Sequence, residues 1–473
     1  MKCQWLKINS KNTTNKIIKQ NKMKSKIYLL GLIMLFFISC KKEDSIKVTT
    51  NDYCAAVDTV TGIMVHDIFS PPVASRIYVY PNIAAYEIMA QNSTKYESLQ
   101  GQLKGLDSIP KLDPKSGVNK NLAALIAHIE VSKQLIFSEE ALGKYRDSLY
   151  QKWENENAKE FLVSKEYGLK VADRIKKWMG KDNYKQTRTF SKFSVYANQP
   201  ARWQPTPPAY MDAVEPHWGE IRTLVMDSAS QFKPIAPYPF STDKNSAFYK
   251  EAKETYDVGN MISEKLIAME KNKSTVIPEE SDIATFWDCN PYATVTQGHM
   301  MFAKKKNSPD AHWMNITKIA LKKNKSDFET AVFAYTKTSI GVFESIISCW
   351  NEKFRSNVVR PETYINQNID ENWRPQLQTP PFPEYTSGHS VISSCSSLIL
   401  TSIFGDNFSY IDDSEVPFGL PKRPFKSFKQ AAAEASISRL YGGIHYRAAI
   451  ENGVVQGNNI GSYLNKKLKM LKK

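Results

Sequence analysis

Three clusters in the C-terminal third combine residue types that handle an anion. Lys353 is separated by six residues from Arg360–Pro361. Ser387–Gly388–His389 follows, then Ser438–Arg439, with His445 after five more residues. Two guanidinium groups and an ammonium supply positive charge and donors suited to an oxyanion. Ser387 adds a hydroxyl, and Gly388 lets the backbone approach closely. A helix starting there would point its amides at an anion. Two histidines can divide the remaining work, one bonding the central atom and one moving protons. Together the residues suit a tetrahedral oxyanion, phosphate or vanadate. Each cluster alone has a plainer reading: a turn, a helix start, a satisfied buried arginine or histidine. All three in this order favour the joint site.

The elements that must position these residues read as helices. Ser326-x-x-Glu329 is a capping box opening a long helix with Phe328, Val332, Ile340, Phe343, Ile347, Trp350 and Phe354 on its apolar positions. A loop carrying Pro361, Pro375, Pro380, Pro381 and Pro383 leads to Ser387. A helix to Phe404 stops at Gly405. Another covers 427–441 and stops at Gly442–Gly443, and a last one covers roughly 447–466. Upstream, 73–90 reads as a helix interrupted near Pro81. Further helices are predicted over 121–136, 138–154, 164–179 (stopped by Gly180) and 255–270. The stretch from Pro200 to Pro239 reads as ordered loop wrapped over the helices. No repeat and no series of alternating strands appears, so the fold class is all-α: packed helical bundles with a boundary near 300.

The chain has 473 residues, 42% hydrophobic and 23% charged, which excludes wholesale disorder. Its net charge of +15 would suit a polyanionic partner. Residues 1–39, however, hold eight lysines and no acidic residue, and without them the charge is +7. No basic stripe with interleaved aromatics occurs elsewhere, so no nucleic-acid partner is expected. Lys304–Lys306 and Lys322–Lys325 read as solvated helix ends.

From Met23, a better start for a signal peptide than Met1, Lys24 and Lys26 precede the 12-residue apolar run Ile27–Ile38. That run is too short to span a bilayer. Ser39–Cys40 closes it and resembles a bacterial lipobox, although Phe37 is unusual two residues before Ser39. The resemblance implies cleavage before Cys40, lipid attachment to its thiol, and an exported chain anchored in the outer membrane on the periplasmic or surface face. A plain secretory signal or an uncleaved anchor is the competing reading. Cys54, Cys289, Cys349 and Cys395 would remain as buried free thiols.

The clusters are the signature of a known superfamily. Lys353-x6-Arg360–Pro361, Ser387–Gly388–His389 and Ser438–Arg439-x5-His445 resemble the type 2 phosphatidic acid phosphatases and vanadium haloperoxidases. The segments CWNEKFRSNVVRPETY, QTPPFPEYTSGHS and SRLYGGIHYR look most like the bacterial haloperoxidase-like branch. SPPVASRIYVYPNIAAYE and FWDCNPYATVTQGHMMF resemble it more loosely. The resemblance implies a signal segment over 1–39, an N-terminal helical domain over 40–300 with no identified site of its own, and a catalytic bundle over 301–473.

It also implies roles. His445 would bond vanadium, or attack phosphorus in a phosphatase, and His389 would be the acid–base residue. Lys353, Arg360 and Arg439 would neutralise oxyanion oxygens, with Ser387 and the Gly388 amide completing the cradle. Trp350 and Phe382 match aromatic positions on the halide side, with ordinary core packing as the competing reading. Two positions depart from the pattern. Thr386 replaces a common proline. Ala449 replaces an aspartate four residues after His445 that would orient its ring, so a backbone carbonyl or another group must do so; Glu451 is near in sequence but aimed elsewhere. His299, Met300 and Met301 read as core, and His66, His128, His217 and His312 as unremarkable.

The leading function is a vanadate-dependent haloperoxidase-like enzyme that oxidises halide with hydrogen peroxide. The alternatives are an acid phosphatase that hydrolyses phosphate esters through a phosphohistidine, with phosphate in the same site, and a non-catalytic oxyanion-binding surface lipoprotein.

Overall fold

The structure is a computed structural model, and the residues described are 44–291 and 306–472. The signal segment, Cys40, His299, Met300, Met301 and the boundary near 300 lie outside them. Helices dominate: α1 (Thr50–Asp67), α2 (Pro71–Ala90), α3 (Lys120–Lys133), α4 (Glu139–Met179), the short α5 (Tyr184–Thr187), α6 (Ala247–Lys271) and α7 (Glu279–Phe286). After residue 306 come α8 (Pro309–Lys323), α9 (Phe328–Ser356), α10 (Pro361–Asn368), α11 (Gly388–Phe404), α12 (Phe428–Tyr441) and α13 (Arg447–Lys467). A small antiparallel pair, β1 (Tyr410–Asp412) and β2 (Arg423–Phe425), sits between α11 and α12.

Two helices form the centre. Every residue of α2 is buried, and α9 is buried along most of its length. Both are apolar over most of their circumference, as interior helices are, and buried charges on them are paired: Arg76 with Asp182, Glu87 with Ser98 and the Leu99 N–H, and Glu344 with the Leu224 and Met226 N–H groups. The expected interruption at Pro81 does not occur: α2 runs through it. An interior proline costs about 3 kcal/mol of helix stability, and burial on all sides of α2 offsets that. α2 packs on α3 and α9, α9 on α11, and α11 on α12 and α13. One hydrophobic core runs from Ile46 to Met470, so elements from both halves of the chain share it.

Local chemistry explains the remaining boundaries. The helices expected over 138–154 and 164–179 are one long element bent at Asn157, whose backbone leaves the helical region. Its side chain accepts the Glu160 N–H at 3.0 Å, as a cap does. The capping box at Ser326 is not the cap used; Asp327 accepts from Thr330 N–H at 2.8 Å and α9 opens one residue later. The stretch 188–246 carries one 3-10 turn, Trp218–Glu220, and buries Trp203, Trp218, Leu224 and Met226 against the helices. Cys54, Cys289, Cys349 and Cys395 are buried free thiols.

Candidate active site

Helix ends deliver the predicted residues to one place. Lys353 lies in the last turn of α9, which Asn357 closes in the left-handed conformation (φ 50°). Arg360 precedes Pro361 at the start of α10. Ser387 caps α11: its hydroxyl accepts the Ser390 N–H at 3.3 Å, and its own N–H donates to the Ala449 carbonyl at 3.0 Å. Arg439 is in the last turn of α12, and His445 lies in the connection to α13.

The His445 ring is held at both nitrogens. Nδ1 is 2.8 Å from Glu384 Oε1, which also accepts the Tyr446 N–H at 3.0 Å. Nε2 is 3.2 Å from Arg360 Nη1. A guanidinium only donates. Nε2 therefore carries the lone pair, and the ring proton is on Nδ1. Burial, followed by the charges of Arg360 and Lys353, pushes the His445 pKa well below the imidazole range and keeps the ring neutral. Burial raises the Glu384 carboxyl to about 7, while Arg360, Lys353 and the Tyr446 amide pull it down.

The three cations are fixed mainly by backbone carbonyls. Arg360 donates from Nε to Phe382 and from Nη1 to Ile444, both at 2.8 Å. Arg439 donates from Nε to Ser438 Oγ at 2.9 Å and from Nη2 to the Trp287 carbonyl at 2.7 Å. Lys353 Nζ donates to the carbonyls of Pro383, Glu384 and Thr386 at 3.0, 3.0 and 2.5 Å. An ammonium has three donors, so Lys353 offers the site its charge rather than a free N–H. Burial pulls Lys353 down to about 7 and Arg360 to about 10.

A cavity of about 40 Å³ lies beside His445, lined by Gly388, His389, Arg439, Trp350 and Phe382. Lys353, Arg360 and Ser387 are not among the residues that line it; Arg360 adjoins it through His445, whose Nε2 it touches. The Trp350 and Phe382 rings are 4.9 Å apart, and the Trp350 indole donates to the Val214 carbonyl at 3.2 Å. Arg360 Cζ lies 5.0 Å over the Phe382 ring. His389 is pushed well below the imidazole range by burial and then by Arg439. Arg360 Nη2 and His389 Nε2 are buried without a hydrogen-bond partner. On the cavity wall next to His389, a Cβ on Gly388 would meet nothing nearer than Trp350 at 3.8 Å. An unpartnered guanidinium N–H and an unpartnered imidazole nitrogen, with bare backbone at Gly388, fit a small tetrahedral oxyanion such as vanadate, which can accept from the first and donate a hydroxyl to the second.

Several residues here lacked an assignment from sequence. Glu384 lies inside the segment that carried the resemblance, but nothing in the one-dimensional pattern pairs it with His445. The upstream half also lines the cavity, through Pro71, Asp288, Cys289, Asn290 and Pro291. Lys306, expected as a solvated helix end, pairs with Asp288. His312 is buried, 2.9 Å from Asp412 and 3.5 Å from Glu415. Burial acts to lower its pKa, but Asp412 and Glu415 hold it well above the usual range. Its ring stacks on Trp287 at 4.3 Å, behind the carbonyl that fixes Arg439. His128 is buried and neutral, brought down to about 3 by burial, and His66 and His217 are peripheral.

The family model for the second helical-bundle domain of vanadium chloroperoxidase matches residues 333–473. Among solved structures, a bacterial vanadium-dependent iodoperoxidase is 58% identical, with a TM-score of 0.86 over 91% of this chain and 100% of that chain. The apo form of a bacterial vanadium-dependent chloroperoxidase aligns at 15% identity and a TM-score of 0.61, over 84% of this chain and 94% of that one. Its holo form aligns at 15% and 0.59, over 85% and 93%. These two share the fold. No curated protein matches the chain significantly.

Proposed function

The chain belongs to the vanadium-dependent haloperoxidases, and we propose that it oxidises iodide with hydrogen peroxide at a vanadate held by His445. One observation carries the site assignment: the His445 ring has its proton tied at Nδ1 and its lone pair at Nε2, next to Arg360 and the cavity. The choice of iodide follows the 58% identity to an iodoperoxidase.

Bound vanadate supplies a Lewis-acid centre that activates hydrogen peroxide without changing its own redox state. The chain's residues do the rest. His445 Nε2 would bond the oxyanion, exchanging its contact with Arg360 Nη1 for it. Arg360 and Arg439 would balance its oxygens, and Lys353 would add charge without a free N–H. The Gly388 backbone leaves room for close approach, and Ser387 fixes the start of α11. His389 Nε2, buried on the cavity wall, moves the proton. Trp350 and Phe382 form the apolar side on which the halide arrives. In the net reaction, iodide gives two electrons to the O–O bond. One oxygen leaves in hypoiodous acid and the other, with a proton taken up, as water.

We also place the protein outside the cytoplasm, lipid-anchored at Cys40, because the basic, apolar and Ser39–Cys40 segments occur in signal-peptide order. No helix among the described residues is long and apolar enough to cross a membrane.

The test uses residues 41–473 loaded with vanadate and supplied with peroxide and iodide. Vanadate-dependent halogenation of a diketone dye is expected, and His445→Ala should abolish it. Vanadate-inhibited hydrolysis of a phosphate ester without halide oxidation would overturn the reading in favour of a phosphatase. Tight oxyanion binding without either turnover would leave a binding lipoprotein.

A further inference from the structure

Position 449 lies four residues beyond His445, in the first turn of α13, and it is an alanine. Its methyl is buried with Val358, Tyr385 and Tyr446 and can accept no hydrogen bond. Glu384 occupies that role in space. It comes from the segment before α11, is 1% exposed, and sets Oε1 against both His445 Nδ1 and the Tyr446 N–H. Its own N–H is anchored to the Val358 carbonyl at 3.0 Å. The same segment, Phe382 to Thr386, presents the carbonyls that hold Arg360 and Lys353. The histidine and two of the cations are therefore registered on one stretch of five residues, although they come from three separate parts of the chain.

We propose that Glu384 is the positioning residue of His445: its carboxylate, reaching across from the loop before α11, fixes the ring so that the Nε2 lone pair points at the oxyanion. Removing it leaves the Nδ1 proton without its acceptor and frees the ring to turn out of reach of Arg360 Nη1, after which either tautomer is open to it. Outer partners of a ligating histidine typically contribute 10–100-fold in affinity. This assignment rests on the proposed function in one respect, that His445 bonds the oxyanion. A cavity of about 10 Å³ lies against both Glu384 and Ala449, and removing the Glu384 side chain widens the space beside position 449 for a carboxylate.

The experiment compares the wild type with Glu384→Ala, Glu384→Gln and the double variant Glu384→Ala/Ala449→Asp. Vanadate affinity is measured by equilibrium dialysis, and the His445 tautomer by nitrogen NMR on protein labelled at histidine. Glu384→Ala should weaken vanadate binding 10–100-fold and turn a single Nδ1–H tautomer into a mixture. Glu384→Gln, which keeps an acceptor but loses the charge, should fall between wild type and Glu384→Ala. The double variant should recover at least part of the affinity and the single tautomer. A purely structural role would lower the melting temperature and leave both readouts unchanged. Affinity within threefold of wild type, an unaltered tautomer, or no recovery in the double variant overturns the assignment. Should Glu384→Ala fail to fold, the affinity of Glu384→Gln decides. Binding is read directly here, so a wild type that binds vanadate but leaves iodide unoxidised would sink the proposed function and leave this test standing.

Discussion

The joint between α11 and α13 admits a sharp test because the same substitution should act in opposite directions at two sites. A Cβ built on Gly457 would lie 2.3 Å from the Val391 carbonyl oxygen and 3.0 Å from its carbonyl carbon. Ordinary carbon–oxygen contacts are about 3.3–3.6 Å, so the shortfall is about 1 Å. The obstructing atoms are backbone and cannot rotate away. Gly453 and Gly461, one turn on either side, would each bring a Cβ to about 3 Å from α11 as well, meeting Ser390 Cβ at 2.9 Å and the Cys395 carbonyl at 3.1 Å. The three glycines form a groove in α13 into which α11 fits. In Gly457→Ala the helices must part, and a gap of 0.5–1 Å already forfeits a quarter to a half of each dispersion contact. Overpacking costs about 1–3 kcal/mol. A shortfall of about 1 Å against backbone belongs in the upper part of that range, about 2–3 kcal/mol; the intrinsic gain of Ala over Gly in a helix returns about 1 kcal/mol, so the net loss is about 1–2 kcal/mol. Gly62, exposed on α1, has no atom within 4 Å of its built Cβ. Gly62→Ala should therefore gain about 0.5–1 kcal/mol.

The consequence extends to the chemistry. α11 carries Gly388 and His389 to the cavity, and the Ser387 N–H bonds the Ala449 carbonyl on α13. A displacement of about 1 Å can cost about 100-fold in rate. Gly457→Ala should lower both the melting temperature and vanadate-dependent iodide oxidation, whereas Gly62→Ala should raise the first and leave the second alone. Denaturation curves and dye halogenation measure the two. If Gly457→Ala is as stable as wild type, or Gly62→Ala loses as much, the packing argument is wrong.

Two further outcomes follow from the site and the leader. Phe382→Leu removes the ring beneath Arg360 and beside Trp350. It should change kcat/KM for iodide by at least fivefold while vanadate affinity stays within threefold, and equal losses in both would place Phe382 in the oxyanion cradle instead. Cys40→Ser should move the exported protein from the detergent phase to the soluble fraction and abolish incorporation of labelled palmitate. Unchanged partitioning would favour a plain signal or an uncleaved anchor.

Sequence served well where function and local structure coincide. Ser387 is both a cap and the residue before a bare glycine, and Gly405 and Gly442 follow the ends of their helices. Such signals are short-range, so a linear reading recovers them. Pro81 is the opposite case: the local rule breaks a helix that only three-dimensional burial keeps whole. The capping box at Ser326 failed for a related reason, because Asp327 competes for the same amides and a carboxylate is at least as good an acceptor.

Glu384 shows most clearly what a linear reading loses. A carboxylate that orients a histidine needs only to reach Nδ1; it need not sit at a fixed distance along the chain. From sequence, Ala449 looks like a missing part. In space the part is present, delivered 61 residues upstream by the proline-rich segment whose carbonyls already hold Lys353 and Arg360. The pattern of prolines signalled a stiff loop but could not say what the loop was stiff for. Its rigidity now has a physical purpose: a carboxylate brought in from a loop orients a ring reliably only if the loop cannot move. The Glu384 N–H bond to Val358, the Phe382 carbonyl on Arg360 and the three carbonyls on Lys353 supply that restraint.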